Sequence, residues 1–253
     1  TARYATAGTQ YGGDKGIFGF GHDGSSRIST SNLVSNAGVV ASDVTGVGTV
    51  RHQVTACSYG GDKGIFGFGM LTDGTYVSTT NLVSNAGVVA SDTTGVGTGR
   101  GEFPAGCEYG GDKGIFGYGY VSGTAAVSMT NLVSNAGVVS SDVTGVGTAR
   151  YGIAACSYGG DKGIFAYGTT GSRVSMSNLV SNAGVVASDV TGVGTAREQL
   201  AACEYGQGKG IFGYGQTPTK VSMTNLVSNA GVVATDVTGV GTARKALAAC
   251  SFN

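Results

Sequence analysis

The sequence predicts an all-β protein built from five near-identical units, and three observations lead to that prediction. The motif Tyr-Gly-Gly-Asp-Lys-Gly-Ile-Phe-Gly, or a variant of it, recurs at a mean spacing of about 48 residues, starting at Tyr11, Tyr59, Tyr109, Tyr158 and Tyr205. Each unit also contains an unchanged Asn-Leu-Val-Ser-Asn-Ala-Gly-Val-Val segment. Gly supplies 48 of the 253 residues, and no apolar pattern repeats at the period of a helix.

Each unit is predicted to contain short strands joined by tight turns, as the fourth unit illustrates. Residues 150–158 are largely small and apolar, which favours a strand. Residues 159–163 form a turn, because Gly adopts positive φ without a Cβ penalty. Residues 164–167 are rich in β-forming residues, and residues 174–177 alternate between apolar and polar.

This unit length matches the blade of a β-propeller, which runs to about 40–50 residues. One blade cannot bury both faces of its own sheet, whereas packing blade against blade around an axis does. The sequence therefore predicts one domain, 1–253, folded as a five-bladed propeller with units starting near 11, 59, 109, 158 and 205. A parallel β-solenoid is the main alternative, but its rungs are usually shorter, at about 20–30 residues.

The strand that begins with Arg occurs six times, whereas the Ile-Phe strand occurs five times. We expect residues 246–251 to pair with the strand at Ile17 and close the ring, leaving residues 1–10 outside that position. The alternative is that the N-terminal copy holds the position, while the C-terminal copy pairs at an edge or with another chain. A sixth blade made of one strand could not bury its faces. Phe252 falls at the repeat position of Tyr11.

The repeat resembles the kelch repeat, in which an Arg precedes a small-apolar strand, a Gly turn and an apolar strand that ends in glycines. In the fourth unit the pattern is carried by Arg150, Ala154, Ala155, Gly159, Gly160, Gly163, Ile164, Phe165, Tyr167 and Gly168. Two features depart from it: Gly-Phe-Gly or Gly-Tyr-Gly replaces the adjacent glycines, and the chain contains no Trp. Similar repeats occur in viral and bacterial adhesion or tail-fibre-type proteins. The resemblance therefore implies a propeller in an adhesive structure of a virion or cell surface.

Charge and hydropathy exclude several classes of protein. Lys plus Arg and Asp plus Glu number 15 each, which argues against nucleic-acid binding, because that affinity comes from neutralising phosphates. No apolar run approaches the roughly 18 residues of a membrane span. The first residues lack a signal-peptide pattern, although a cleaved signal would leave no trace. We expect a soluble protein that does not insert into membranes.

Catalysis, cofactors and metals find no support in the sequence. The only histidines, His22 and His52, occupy non-equivalent positions without a recognisable nucleophile spacing. The pattern Gly-x-Gly-x-x-Gly in residues 19–24 is not followed by a helix, so it lacks the phosphate-binding mechanism. The five cysteines recur at one position per unit and are expected to be unpaired small hydrophobes: Cys57, Cys107, Cys156, Cys203 and Cys250. The repeated Asp and Arg residues are expected to hold each blade together.

Variation between units is the main clue to function. It is concentrated in the loops at 22–30, 70–80, 120–130, 169–177 and 216–224, and in the segments that follow each repeated Arg. Loops on a rigid scaffold often bind ligands, although exposed hairpin tips also drift when nothing constrains them. The candidate ligand-binding residues are His22, Asp23, Arg27, Asp73, Tyr76, Tyr120, Arg173 and Lys220. The repeated aromatics could stack on sugars, but inter-blade packing explains them as well.

Two hypotheses for function follow. The first is a non-catalytic module that binds a glycan or protein surface through its variable loops. The alternative is a structural scaffold, recently amplified or engineered, with no small-molecule ligand. We expect a monomer, with a strand-swapped dimer as the alternative.

Overall fold

A computed structural model describes residues 1–123 and 125–251, and all regular structure within them is β-strand. This confirms the all-β class predicted from the repeat. Within the same ranges, no helix is long and apolar enough to cross a membrane. The strands are β1 (Ala7–Tyr11), β2 (Lys15–Gly19), β3 (Ser31–Val34), β4 (Thr55–Tyr59), β5 (Lys63–Gly67), β6 (Thr80–Val83), β7 (Ala105–Tyr109), β8 (Lys113–Gly117), β9 (Tyr120–Val121), β10 (Ala125–Ala126), β11 (Thr130–Val133), β12 (Ala154–Tyr158), β13 (Lys162–Ala166), β14 (Ser177–Val180), β15 (Ala201–Tyr205), β16 (Lys209–Gly213) and β17 (Thr224–Val227).

Each unit forms one three-stranded antiparallel sheet, and β9 and β10 add a small hairpin in the third unit. We number the sheets 1 to 5 in chain order and call their strands inner, middle and outer; in sheet 4 these are β12, β13 and β14. Ile164 of the middle strand pairs with Cys156 on one side and Leu179 on the other. The turn between β12 and β13 contains Gly159 and Gly160 at φ of 64° and 82°, as expected for a glycine turn.

The inner strands of successive sheets contact one another, from β1 to β4, β7, β12 and β15. Together with residues 247–251 they line two small cavities of about 70 and 80 Å³. The residues shared by both cavities are small: Gly8, Ala56, Gly106, Ala155, Ala202 and Ala249. Small side chains therefore allow the inner segments to approach one another around a narrow channel.

The predicted mode of closure is wrong. The strand at Ile17 is paired by β1, with Ala7 opposite Gly19 and Thr9 opposite Ile17, so the N-terminal copy holds that position. The physical reason is loop-closure entropy. A three-residue turn joins β1 to β2, whereas pairing with residues 246–251 would require contact across almost the entire chain. Phe252 lies outside the described residues.

Residues 246–251, which we call the terminal segment, occupy a sixth position between β15 and β1. A cycle of backbone N–H groups links all six copies: Ala5 donates to Ala246 O (2.9 Å), Ala246 to Gln199 O (2.9 Å), Gln199 to Gly152 O (2.8 Å), Gly152 to Glu102 O (2.9 Å), Glu102 to Gln53 Oε1 (3.0 Å) and Gln53 to Ala5 O (3.0 Å). A single inner segment can hold this position because neighbours flank it on both sides, contrary to the expectation from the sequence.

Aromatic residues fill the interfaces between successive sheets. The Phe of each middle strand packs against the aromatic residue that follows the preceding middle strand, with ring centroids 5.1–5.4 Å apart. The four pairs are Phe20–Phe66, Phe68–Phe116, Tyr118–Phe165 and Tyr167–Phe212. All eight side chains are fully buried. They form packing between successive sheets, as the sequence suggested for the repeated aromatics.

Candidate functional site

The repeated Arg residues belong to the framework between sheets. The guanidinium of Arg150 stacks on Tyr118 at 4.5 Å from the ring centroid, in the preceding sheet. Its Nε donates to Tyr167 O at 2.9 Å, and its Nη2 donates to Asn178 Oδ1 at 2.6 Å. Four of the repeated Arg residues therefore join two neighbouring sheets, and their cations are available to no ligand because they are fully buried: Arg51, Arg100, Arg150 and Arg197.

The repeated Asp residues complete the same network. Asp189 accepts hydrogen bonds from Asn178 Nδ2 at 2.9 Å and Thr148 Oγ1 at 2.6 Å, and it lies 3.7 Å from Arg150 Nη1. Burial by itself raises the pKa of Asp189, but the hydrogen bonds from Thr148 and Asn178 bring it below its ordinary value. The repeated Asp could form bidentate pairs with Arg or accept from the backbone; Asp189 accepts from the backbone N–H of Thr148 at 3.0 Å, and Asn178 bridges its carboxylate to the Arg150 guanidinium.

A different set of residues gathers where the units differ. Isolated antiparallel bridges join two segments of the chain. One is the segment that follows a repeated Arg, and the other is the variable loop that follows the next middle strand. The bridged positions are Tyr4–His22–Arg27, His52–Met70–Tyr76, Gly101–Tyr120, Tyr151–Thr169–Arg173 and Glu198–Gln216–Lys220. We call this set, with Glu102, the variable end. The two variable regions of each unit are therefore one surface.

The first two units meet at the variable end through imidazole and guanidinium groups. Arg27 Nε donates to His52 Nδ1 at 3.1 Å, and Arg27 Nη1 donates to Thr72 O at 3.2 Å. The His22 ring lies 5.9 Å from the His52 ring and 5.2 Å from the Tyr4 ring, centroid to centroid. Burial lowers the pKa of His52, which favours the neutral ring that accepts from Arg27.

Each of the next contacts joins a candidate residue to the segment that leads into the following sheet. Tyr76 Oη donates to Glu102 Oε1 at 3.1 Å; burial, followed by the Glu102 charge, raises the pKa of Tyr76 to about 12. Arg173 bonds Glu198 Oε1 through Nε at 3.0 Å and Nη2 at 2.8 Å.

Tyr120 packs edge-on against Tyr151, with centroids 5.4 Å apart. Five candidates, His22, Arg27, Tyr76, Tyr120 and Arg173, therefore lie half-buried against a neighbour.

The other three candidates lie on exposed loops. Asp23 Oδ1 accepts the backbone N–H groups of Ser25 and Ser26, both at 2.8 Å, and Asp73 Oδ1 accepts that of Thr75 at 2.9 Å. These hydrogen bonds form Asx turns, so both carboxylates shape their loops. Lys220 is exposed and bridges to Gln216 through the backbone.

No protein-family model and no curated protein matches the chain. The site therefore rests on its own geometry.

Sequence reasoning did not single out several residues of this surface. Tyr4, Glu102, Tyr151 and Glu198 each face a candidate residue, and all four lie one or two positions after a repeated Arg. The available signal was that these positions vary between units, which marked the segments without identifying their partners. Beneath the variable end, the channel entrance is lined by larger apolar residues, among them Val54, Ile153, Leu200 and Leu247.

The opposite end of the channel carries thiols and carboxylates. The described cysteines are free, and burial raises the pKa of the Cys107 thiol to about 12. Burial also raises the pKa of Glu108, which accepts a hydrogen bond from Ser58 Oγ at 2.6 Å. Across residues 1–123 and 125–251, no group of three His, Cys, Asp or Glu side chains could hold a metal ion. The Cys107 thiol and the Glu108 carboxylate both belong to the inner strand β7.

Proposed function

We propose that the chain is a non-catalytic binding module that recognises a glycan or protein surface through the variable end. The observation that carries the proposal is the separation of sequence variation from the framework. Arg, Asn, Asp and aromatic residues repeat at the sheet interfaces, whereas the combination of residues at the bridged positions of one end changes from unit to unit. Loops that vary on a constant scaffold are the usual location of binding residues.

The scaffold that we propose for this surface is a kelch-like β-propeller with six positions around the channel. Three-stranded sheets fill five positions, and the terminal segment fills the inner part of the sixth. The hydrogen-bond cycle through all six inner segments supports this arrangement, as do the two cavities that these segments line. Small residues along a central channel and aromatics between blades are consistent with it.

The chemistry of the variable end suits a polar ligand with flat apolar faces. The rings of Tyr4, His22, Tyr120 and Tyr151 are half-buried or exposed at its surface, and such rings stack on sugar C–H faces. Because no two units present the same residues, we expect one composite site in place of five equal ones. The carboxylates of Glu102 and Glu198 already engage Tyr76 and Arg173, which fits binding without catalysis.

A glycan array and a protein pull-down test the proposal with three proteins. The wild-type chain is expected to bind, Tyr120→Ala is expected to lose most of that binding, and Lys162→Ala at the opposite Gly turn is expected to retain it. Lys162 is a matched control because it is half-exposed and, among the described residues, forms an ion pair with the neighbouring Asp161 alone. Absence of wild-type binding in both assays, or equal loss in both variants, would contradict the proposal.

One observation favours the scaffold alternative. Four contacts at the variable end fasten adjacent units to each other: Arg27–His52, Tyr76–Glu102, Tyr120–Tyr151 and Arg173–Glu198. Under this alternative, the residues vary because each contacting pair packs in its own way. Arg173→Ala is then expected to lower the free energy of unfolding without affecting the binding of any ligand. In either case we propose a monomer in an adhesive or structural assembly of a virion or cell surface, which the kelch-like resemblance implies.

A further inference from the structure

Within residues 1–123 and 125–251, only the inner layer of the sixth position is filled. The last strand of the described chain is β17 of sheet 5, and no described strand pairs with the terminal segment. Residues 247–251 make no backbone hydrogen bond to any described residue, whereas each of the five inner strands pairs along its length with a middle strand. The terminal segment therefore presents an open strand edge.

The face of sheet 5 next to this edge is uncovered. Val240 is 81 % exposed, whereas the equivalent Val146 is 37 % exposed. Leu226 of the outer strand is 38 % exposed, whereas the equivalent Leu179 packs in the core of its interface beneath Gly231 of the next sheet. The structure lacks, at this one face, the neighbour that covers sheets 1 to 4.

The Arg network is interrupted on both sides of the same gap. Arg244 stacks on Tyr214 at 4.3 Å from the centroid, but its guanidinium donates no hydrogen bond within the described chain. Across the gap, Arg3 bonds Asn32 Oδ1 at 2.6 Å, yet no aromatic ring of the described residues lies beneath its guanidinium. Arg244 lacks the Asn of an outer strand, and Arg3 lacks the aromatic residue of a preceding sheet.

A cavity of about 230 Å³ lies where the missing middle strand would pack, lined by Ile211, Gly213, Tyr214 and Leu247 among others. At a complete interface, a Cβ added to Gly117 would lie 2.9 Å from Phe165 Cζ of the next sheet. A Cβ added to Gly213 would meet only Thr224 Cγ2, at 3.4 Å. An apolar cavity of about 150 Å³ accepts benzene, so this one has room for a phenyl ring.

We propose that this gap binds a polypeptide segment that carries one more copy of the repeat's middle and outer strands. The segment adds to the terminal segment as a β-strand and places its Phe in the cavity beside Tyr214. Its outer-strand Asn accepts from Arg244, and the aromatic residue after its middle strand lies under Arg3. The four complete interfaces of this chain define that chemistry, and the proposal does not depend on a ligand at the variable end.

A labelled peptide identical to residues 205–241 tests the proposal against the full chain by fluorescence anisotropy and native mass spectrometry. One peptide is expected per chain. A matched peptide with Phe212→Ala is expected to bind at least tenfold more weakly, because it leaves the cavity empty. Arg244→Ala in the chain is expected to weaken binding of the unchanged peptide by a similar factor. The variant is expected to fold, since Arg244 is exposed and its loss leaves the five sheets intact.

A second measurement does not need a free peptide and so applies even if the peptide aggregates. The same residues are appended to the C terminus, with and without the Phe212→Ala change in the appended copy, and thermal unfolding is followed. The unchanged extension is expected to give the higher melting temperature. The proposal is overturned if neither peptide binds and the two extensions melt together, or if both peptides bind equally. A homodimer that the peptide dissociates would instead identify a second copy of the chain as the occupant.

Discussion

Arg150 and Arg100 occupy equivalent positions, but the structure predicts that their loss has different consequences. Arg150 donates three hydrogen bonds: to Tyr167 O, Thr148 O and Asn178 Oδ1. Arg100 donates one, to Asn131 Oδ1, and its buried Nε and Nη1 have no hydrogen-bond partner, although Nη1 lies 3.5 Å from a carboxylate oxygen of Asp142. Substitution by Met retains an apolar side chain and removes the guanidinium in both variants, together with its stacking on the aromatic ring.

The expected magnitudes follow from these contacts. Removing one partner of a buried charged network costs about 3–5 kcal/mol, which we expect for Arg150→Met. A hydrogen bond from a charged donor contributes about 1.5 kcal/mol at the low end, so two fewer bonds make Arg100→Met less costly by about 3 kcal/mol.

Equilibrium unfolding in guanidinium chloride, followed by circular dichroism, measures the difference. The chain has no Trp, so circular dichroism is the more direct signal. Arg197 donates the same three bonds as Arg150, and Arg197→Met is therefore a positive control that should resemble Arg150→Met. The reasoning fails if Arg100→Met shifts the midpoint as far as Arg150→Met does at an unchanged m-value.

Three further predictions concern the inner segments. Gln199 has φ of 56°, so Gln199→Gly should stabilise by about 0.5–1 kcal/mol; a lower melting temperature would contradict this. Burial raises the pKa of Glu108 in the folded state, so its stabilising contribution is greatest below the unfolded pKa and is lost as pH rises through the folded pKa. The melting temperature of Glu108→Gln should therefore rise relative to that of the wild type from about pH 4 to about pH 7. A difference that stays constant with pH would refute the raised pKa of Glu108. Half-buried Cys203 should react with a thiol reagent in the native state, whereas buried Cys57 should react only on unfolding; equal rates, read by peptide mapping, would contradict the burial.

The strands were predictable because the pattern that specifies them is local. Gly-Ile-Phe in each middle strand, with a glycine turn before it, gave the correct position for residues 164–166 of β13. Repetition strengthened the prediction, since five copies of one signal cannot all arise by chance. The role of the repeated aromatics followed from the same reasoning, because a blade cannot bury its faces without its neighbours.

Closure of the chain was not predictable from repeat phase. The N-terminal copy is the degenerate one, with Ala7, Gly8 and Thr9 where the C-terminal copy has Ala248, Ala249 and Cys250, and similarity alone favoured the C-terminal copy. Chain connectivity outweighed that similarity, because β1 reaches β2 through a short turn. Sequence similarity between the repeats also gave no indication that the terminal segment alone could hold a sixth position between β15 and β1.

The candidate site was found in part. Variation between units identified His22, Arg27, Tyr76, Tyr120 and Arg173, and the structure brings all five to one surface. Their partners were missed because each partner lies about 25 residues further along the chain, in the segment that leads into the next sheet. No local pattern encodes that contact.

The contacts at the variable end limit how this surface can change. Arg27 meets His52 and Arg173 meets Glu198 in the same spatial relation, yet one pair joins a cation to a neutral ring and the other joins opposite charges. A change in one unit therefore alters the partner required in the next, so adjacent units vary together. The framework has no such freedom, because a buried Arg, an Asn and an aromatic ring must meet at every complete interface. The chain can thus diversify one end without loss of the repeat that holds it together.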